Sequence, residues 1–174
     1  MNQKRIWTIG HSTHTIEKFT QMLKSFEITT LVDVRSLPGS RKFPQFNKES
    51  LEKSLSENDI NYIHSINLGG RRKTSKESKN TGWRLPSFRG YADYMETLPF
   101  LSAVKELEKL AINENVAFMC AEAVWWSCHR SLISDYLKFH NWTVLHIMEI
   151  EKAQEHPYTS PARIKDKKLS YPEE

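Results

Sequence analysis

The chain has 174 residues, 39% of them hydrophobic and 26% charged, with a formal net charge of +4. That length supports one domain with a sizeable core and is short for two, and the composition is that of a globular chain. Two cysteines exclude a disulfide framework, no apolar run reaches the roughly 18 residues of a membrane span, and so small a charge permits an anionic partner without requiring one.

The N-terminal MNQKRIWTIGHS enters a strand over Ile6–Ile9 and shows neither the apolar core nor the small-residue cleavage site of a secretory signal. With both thiols expected free, the expected compartment is the reducing cytoplasm. A helix is predicted over Ile16–Phe26, where Ile16, Phe19, Met22, Leu23 and Phe26 share a face and Thr15 is placed to cap it. Thr30–Val34 reads as the second strand. Asn47 opens a second helix, with Glu49 and Glu52 in its early turns. Ile60–His64 reads as the third strand. The stretch 67–90 follows neither period and is too long for an ordinary connection. Phe100–Ile112 carries Leu101, Val104, Leu107 and Leu110 on one helical face. Val116–Cys120 is the fourth strand, a helix runs from Ser127 or Cys128 to Phe139, and Thr143–Met148 is the fifth strand. The polar segment 151–174, with three prolines, reads as a tail that wraps the surface or is loosely ordered.

Strands alternating with helices predict an α/β fold in a single domain. Its sheet is five-stranded and mainly parallel, with helices on both faces. The domain spans 1–150, with a long basic insertion loop at 67–90, and a tail follows at 151–174. The right-handed crossover rule leads to the strand order 3-2-1-4-5, with a crevice between strands one and four.

Reactive residue types gather where strands end. Gly10, His11 and Ser12 follow the first; Asp33, Arg35 and Ser36 close the second; Gly69, Gly70, Arg71 and Arg72 follow the third; Cys120 and Glu122 follow the fourth; His146 lies in the fifth. In a parallel sheet all carboxyl ends share one edge, and ligands bind there. These stretches are therefore expected to meet, bringing His11 and Ser12 beside Cys120 and Glu122.

The segment CAEAVWWSCHR holds both cysteines and two of the five tryptophans. Cys128, His129 and Arg130 are expected in the first turn of a helix, where exposed N–H groups favour an anion. A thiol there, beside Arg130 and near His11, gains nucleophilicity as its pKa falls. Arg130 suits a carboxylate or phosphate, and Glu122 suits a nucleophile, an acid/base or the partner of an arginine such as Arg35. The plainer readings stand beside these: Cys120 as core, an Arg35–Asp33 ion pair as scaffold, and Trp125 and Trp126 as packing.

Spacing excludes several motifs. A phosphatase-like or rhodanese-like loop starting at Cys120 needs its arginine at position 126, where Trp126 stands. Gly69-Gly70 lacks the Walker lysine, no cofactor is expected, and no CxxC or HxxxH frame supports a metal. From Arg71 to Arg89 there are seven Lys or Arg residues and one acid, Glu77, with Trp83 and Phe88 interleaved. Such a loop suits a nucleic-acid groove, a lid or a solvated surface.

Together TIGHST, LVDVRSLPGSRKFPQFN, YIHSINLGGRR, GYADYM, MCAEAVWWSCHR and HPYTSPARI resemble the bacterial family known as domain of unknown function 488. The resemblance implies that His11, Ser12, Asp33, Arg35, Pro38, Gly69, Gly70, Arg71, Cys120, Glu122, Cys128, His129, Arg130 and His146 are family positions. It implies the same for His156, Pro157, Tyr158 and Thr159, so that the tail at 151–174 is expected to fold back on the domain toward the site. It implies no reaction.

Three functions remain in view. The first is a small enzyme acting on a phosphate-bearing or nucleic-acid-derived substrate, with Cys128, Glu122, His11 and Cys120 as catalytic candidates. Ser12, Asp33, Arg35, Gly69, Gly70, Arg71, Arg72, His129, Arg130, His146 and Tyr158 are its binding candidates. The second is a non-catalytic nucleic-acid or nucleotide-binding module. The third is a thiol redox or metal sensor. The expected partner is an anionic small molecule or nucleic acid rather than a membrane, and the oligomeric state stays open.

Overall fold

The computed structural model describes residues 3–173. Its elements run β1 (Arg5–Gly10), α1 (Ile16–Lys24), β2 (Thr30–Asp33), α2 (Lys48–Ser56), β3 (Asn61–His64), α3 (Pro86–Tyr94), α4 (Leu98–Asn113), β4 (Val116–Cys120), α5 (Arg130–Phe139) and β5 (Thr143–Glu149). Three short strands follow: β6 (Lys152–Glu155), β7 (Arg163–Lys165) and β8 (Lys168–Ser170). Thr15 caps α1, its Oγ1 accepting from the Lys18 N–H at 3.1 Å. Asn47 stands at the cap of α2, but its Oδ1 accepts from the Ser40 N–H at 2.6 Å and so pins the preceding loop instead.

The fold is a single-domain mixed α/β structure, with five α-helices among the described residues and a mainly parallel six-stranded sheet. The order is β3-β2-β4-β1-β5-β6, with β1 to β5 parallel and β6 antiparallel to β5. This corrects the expected five strands in the order 3-2-1-4-5. β4 lies between β1 and β2, and its run VAFMC is buried along its whole length, as a central strand requires. The crossover rule fixes handedness but not how many positions a crossover skips. β3, with alternating exposure, takes one edge, and the polar β6 takes the other.

Each face of the sheet is covered. Ile6, Val32, Phe118 and Val144 pack against Tyr91 of α3, Val104 and Leu107 of α4 and Leu132 and Leu137 of α5. Ile9, Leu31 and Met119 pack against Phe19 and Met22 of α1 and Leu51 and Leu55 of α2. Each such side chain contributes about 1.5–3 kcal/mol on burial. The basic segment is less irregular than expected: Ile66–Leu68 form a 3-10 turn, and α3 begins at Pro86. Gly90 is needed inside α3, since a Cβ there would lie 2.1 Å from the Arg72 carbonyl oxygen. Beyond β6, Asp166 and Lys167 take left-handed φ values of 51° and 60° and turn β7 into β8. Among the described residues, no helix is long and apolar enough to cross a membrane.

Candidate functional site

A cleft of about 570 Å³ opens at the carboxyl edge, with the end of β4 at its centre. Loops from four strands line it. His11 and Ser12 follow β1, Arg35 follows β2, Gly70 and Arg71 follow β3, and Cys120, Glu122, Cys128 and His129 come from β4 and the connection to α5. Main-chain bonds lock the first and last of these loops together: the His11 N–H donates to the Cys120 carbonyl at 3.0 Å and the Ser12 N–H to that of Ala121 at 2.9 Å. Gly10 permits this approach, because a Cβ there would lie 1.7 Å from the Glu122 carbonyl oxygen. Ser12 and Arg71, on separate walls, hold left-handed φ values of 46° and 62°, a conformation that costs a non-glycine residue about 1–2 kcal/mol.

The two cysteines meet in this cleft. Cys120 Sγ and Cys128 Sγ stand 2.7 Å apart, both buried and both free. Cys128 is not in the first helical turn as expected. Trp125–Ser127 form a 3-10 turn, Cys128 is extended, and α5 starts at Arg130. Its sulfur instead accepts the Arg130 N–H at 3.3 Å, the place a capping side chain takes. Arg130 itself is 1% exposed, and its Nε and Nη1 have no hydrogen-bond partner. A buried guanidinium without a partner calls for a nearby anion. Burial opposes ionisation of both thiols. At Cys120 the hydrogen bond from Cys128, the charge of Arg130 and a backbone hydrogen bond at Glu122 prevail and bring the pKa down to about 7. At Cys128 burial prevails, reinforced by the bond to Cys120, and its pKa is raised. The pair thus gives up one proton readily and keeps the other.

His11 stacks on Phe46 with ring centroids 4.4 Å apart and meets the edge of Phe43 at 6.4 Å. Burial lowers its pKa, so the imidazole is neutral near pH 7. Its Nδ1 lies 2.9 Å from the Ser12 carbonyl oxygen, which can only accept. The proton therefore sits on Nδ1 and the basic lone pair on Nε2. Arg35 is largely committed: Nε and Nη2 fork onto Asp33 at 2.9 and 2.7 Å, and Nη2 also reaches the Phe46 carbonyl at 2.8 Å. Asp33 accepts from Tyr62 as well, at 2.6 Å. These bonds hold Arg35 rigid on the cleft wall and leave Nη1 uncommitted. Arg71 is exposed on the rim. Glu122 accepts from the Cys120 thiol through its main-chain carbonyl, 3.8 Å from Cys120 Sγ, while the residue is exposed.

The remaining candidates are tied into the scaffold or lie outside the cleft lining. His129 lines it, but its Nε2–H is given to the Val34 carbonyl at 2.9 Å and burial lowers its pKa to about 4, so it ties α5 to the end of β2. Gly69 packs on Ser36, whose Oγ donates to the Gly70 carbonyl at 2.8 Å. Arg72 lies 3.7 Å over the Tyr94 ring and donates to the Gly69 carbonyl. Tyr158 faces Lys138 of α5 at 5.3 Å.

His146 belongs to a buried chain that the sequence did not announce. Thr8 Oγ1 bonds His146 Nδ1 at 2.5 Å, His146 Nε2 meets His156 Nδ1 at 2.8 Å, and His156 Nε2 meets Asp135 Oδ1 at 2.8 Å. Asp135 also accepts from Thr159 and Tyr171. Trp125 stacks on His146 at 4.8 Å, coupling this chain to the loop between the cysteines. Burial, with the charges of His156 and Arg130, holds His146 neutral, its pKa lowered to about 2. An acid on the apolar face of α5, at position 135 beside Leu132 and Ile133, was the available signal for this network. Among the described residues, no group of three His, Cys, Asp or Glu side chains is arranged to hold a metal.

A family described as domain of unknown function DUF488 matches residues 15–137, which include both cysteines and Arg130. No curated protein and no solved structure matches the chain.

Proposed function

Starting from a chain that belongs to the DUF488 family, we propose that it is a small cysteine-dependent enzyme acting on a phosphate-bearing or nucleic-acid-derived substrate. One observation carries this reading: two sulfurs 2.7 Å apart in a carboxyl-edge cleft, beside a buried guanidinium with unpartnered nitrogens. Such an arrangement favours a thiolate, and a thiolate in a cleft is a nucleophile. The assignment moves from Cys128 to Cys120, which has the lowered pKa.

In this reading the anionic part of the substrate rests against Arg71 and the free nitrogen of Arg35. The Cys120 thiolate forms a bond to the electrophilic centre. The leaving group departs with the electron pair of its bond and takes the proton of the Cys128 thiol. His11 Nε2 then removes a proton from an incoming water, which displaces the product and restores the Cys120 thiolate. The proton returns from His11 to Cys128.

Iodoacetamide kinetics read by mass spectrometry test the proposal. Cys120 should be alkylated with a midpoint near pH 7, inorganic phosphate or a nucleotide should protect it, and Cys120→Ser should lose the adduct. Alkylation at the rate and midpoint of an ordinary thiol, with no protection by phosphate or nucleotide, overturns it.

The same sulfur–sulfur distance favours a second reading, a redox pair. Two thiols and one peroxide would give a disulfide and two waters. Peroxide treatment that removes the two thiol hydrogens, reversed by dithiothreitol, in a protein whose thiols no anion protects, would select this reading over the first.

A further inference from the structure

A second cleft, of about 730 Å³, lies beyond the loop that joins the two cysteines, and the proposed chemistry leaves it unused. Trp83, Phe88 and Trp126 line it, together with Arg84. Trp83 and Phe88 lean on each other with centroids 5.0 Å apart. Trp126 is 54% exposed, which leaves a large apolar surface in water. It is also braced, set edge-on to buried Trp125 at 5.4 Å, which in turn stacks on His146. The indole is thus a supported face with little freedom to lose when something stacks on it.

Two chain segments contribute residues to both clefts. Arg71 lines the first and Arg84 the second, at opposite ends of one basic segment. Glu122 and Cys128 line the first, while Trp126, between them in sequence, lines the second. Lys73, Lys76 and Lys79 are exposed between the two arginines. The acid Glu77 lies in the same segment, and Glu173 is the one acid among the residues lining the second cleft. Cations spaced along a path that ends at aromatic faces match a chain of phosphates carrying unpaired bases. A duplex hides its base faces and fits less well.

We infer that the second cleft is a base-stacking subsite for single-stranded nucleic acid, with the phosphate backbone following residues 71–84 to the cysteine cleft. The inference rests on the reading of that cleft as a site for a phosphate-bearing substrate, and it assigns that substrate to the polymer class. Trp126 supplies the stacking face, backed by the Trp83–Phe88 pair on the cleft wall; Arg84 and the lysines neutralise phosphates, and Arg71 delivers the strand to Cys120.

Tryptophan fluorescence during titration with a short oligo-dT or oligo-U tests this. The expected result is saturable quenching, with affinity falling as salt rises by about 0.7 log units per log unit of salt for each phosphate contacted. Trp126→Ala should weaken binding about 5- to 150-fold, the range for losing one stacked base. Arg84→Glu should weaken binding and reduce the salt slope. Neither change should alter iodoacetamide labelling of Cys120 in the absence of nucleic acid. In the wild type the oligonucleotide should protect Cys120. No oligonucleotide binding at low salt, while inorganic phosphate still protects Cys120, overturns the inference and leaves the enzyme reading intact. A mononucleotide that binds as tightly as the oligomer, or oligomer binding indifferent to Trp126, overturns it too. Trp126-dependent binding without protection of Cys120 overturns the shared path.

Discussion

Consider Arg130→Met, which removes a cation but keeps an unbranched side chain able to fill much of the same space. Arg130 is 1% exposed, and two of its guanidinium nitrogens have no partner. Exchanging a buried ion for a packed apolar side chain is commonly neutral or stabilising, by up to about 4 kcal/mol. Reactivity should move the other way. Cys120, at about 7 against an ordinary 9.0, is half ionised at pH 7. A full return to the ordinary value would leave roughly 1% thiolate, about a 50-fold loss. The hydrogen bond from Cys128 survives the substitution, so the midpoint should rise by one to two units and the pH 7 alkylation rate should fall about 5- to 50-fold. Iodoacetamide rates between pH 5 and 10 give the first quantity, and urea unfolding at pH 7 gives the second. An unmoved midpoint, or a stability loss above about 3 kcal/mol, would show that Arg130 is a structural cation with a partner other than the Cys120 thiolate.

The cysteine pair should also shape stability against pH. Between about 7 and 9 the unfolded chain binds a proton that folded Cys120 has lost, so stability climbs with pH, by roughly 2–3 kcal/mol. Above 9 the slope reverses, because folded Cys128, its pKa raised by burial, keeps a proton the unfolded chain has shed. Urea midpoints from pH 6 to 10 should show this maximum in the wild type and lose it in a Cys120→Ser, Cys128→Ser double variant. Gly10→Ala places a methyl group 1.7 Å from the Glu122 carbonyl; it should cost roughly 1–3 kcal/mol and lower Cys120 reactivity, and wild-type values of both would contradict the packing. Asp135→Ala strips the acceptor shared by His156, Thr159 and Tyr171. A loss of about 3–5 kcal/mol and faster tryptic cutting near Arg163–Lys168 are expected, and an unchanged digestion pattern would count against the network.

What could be read from the chain was whatever a local pattern records. The five parallel strands fall within a residue or so of their apolar runs, and Thr15 caps α1 as its position suggested. Convergence of His11, Ser12, Arg35, Gly70, Arg71, Cys120, Glu122 and Cys128 at one edge follows from strand direction alone, so it was legible despite the wrong strand order. Lateral order depends on which strand is buried on both faces. The unbroken VAFMC marks an interior strand, but TLVD is as fully buried, and crossover handedness does not say which of them is the more central. α3 was hidden among lysines, although Phe88, Tyr91, Ala92 and Met95 keep helical spacing behind Pro86. The chain from Thr8 to Asp135 was not legible. Its members are far apart in sequence, and only the assembled fold shows which hydroxyl faces which imidazole.

The placement of β4 has a cost during synthesis. β1 pairs only with β4 and β5 among the described residues, so Ile6, Trp7 and Ile9 have no hydrogen-bonded neighbour until residue 116 and those after it have left the ribosome. At ordinary elongation speeds that wait lasts roughly 5–20 s. Through this interval the nascent segment carries an open strand and uncovered apolar side chains, the kind of surface that holdase chaperones bind and aggregates recruit. The strand that brings Cys120 to the cleft also ends that exposure, so the birth of the reactive thiol and the sheltering of the first strand are one event.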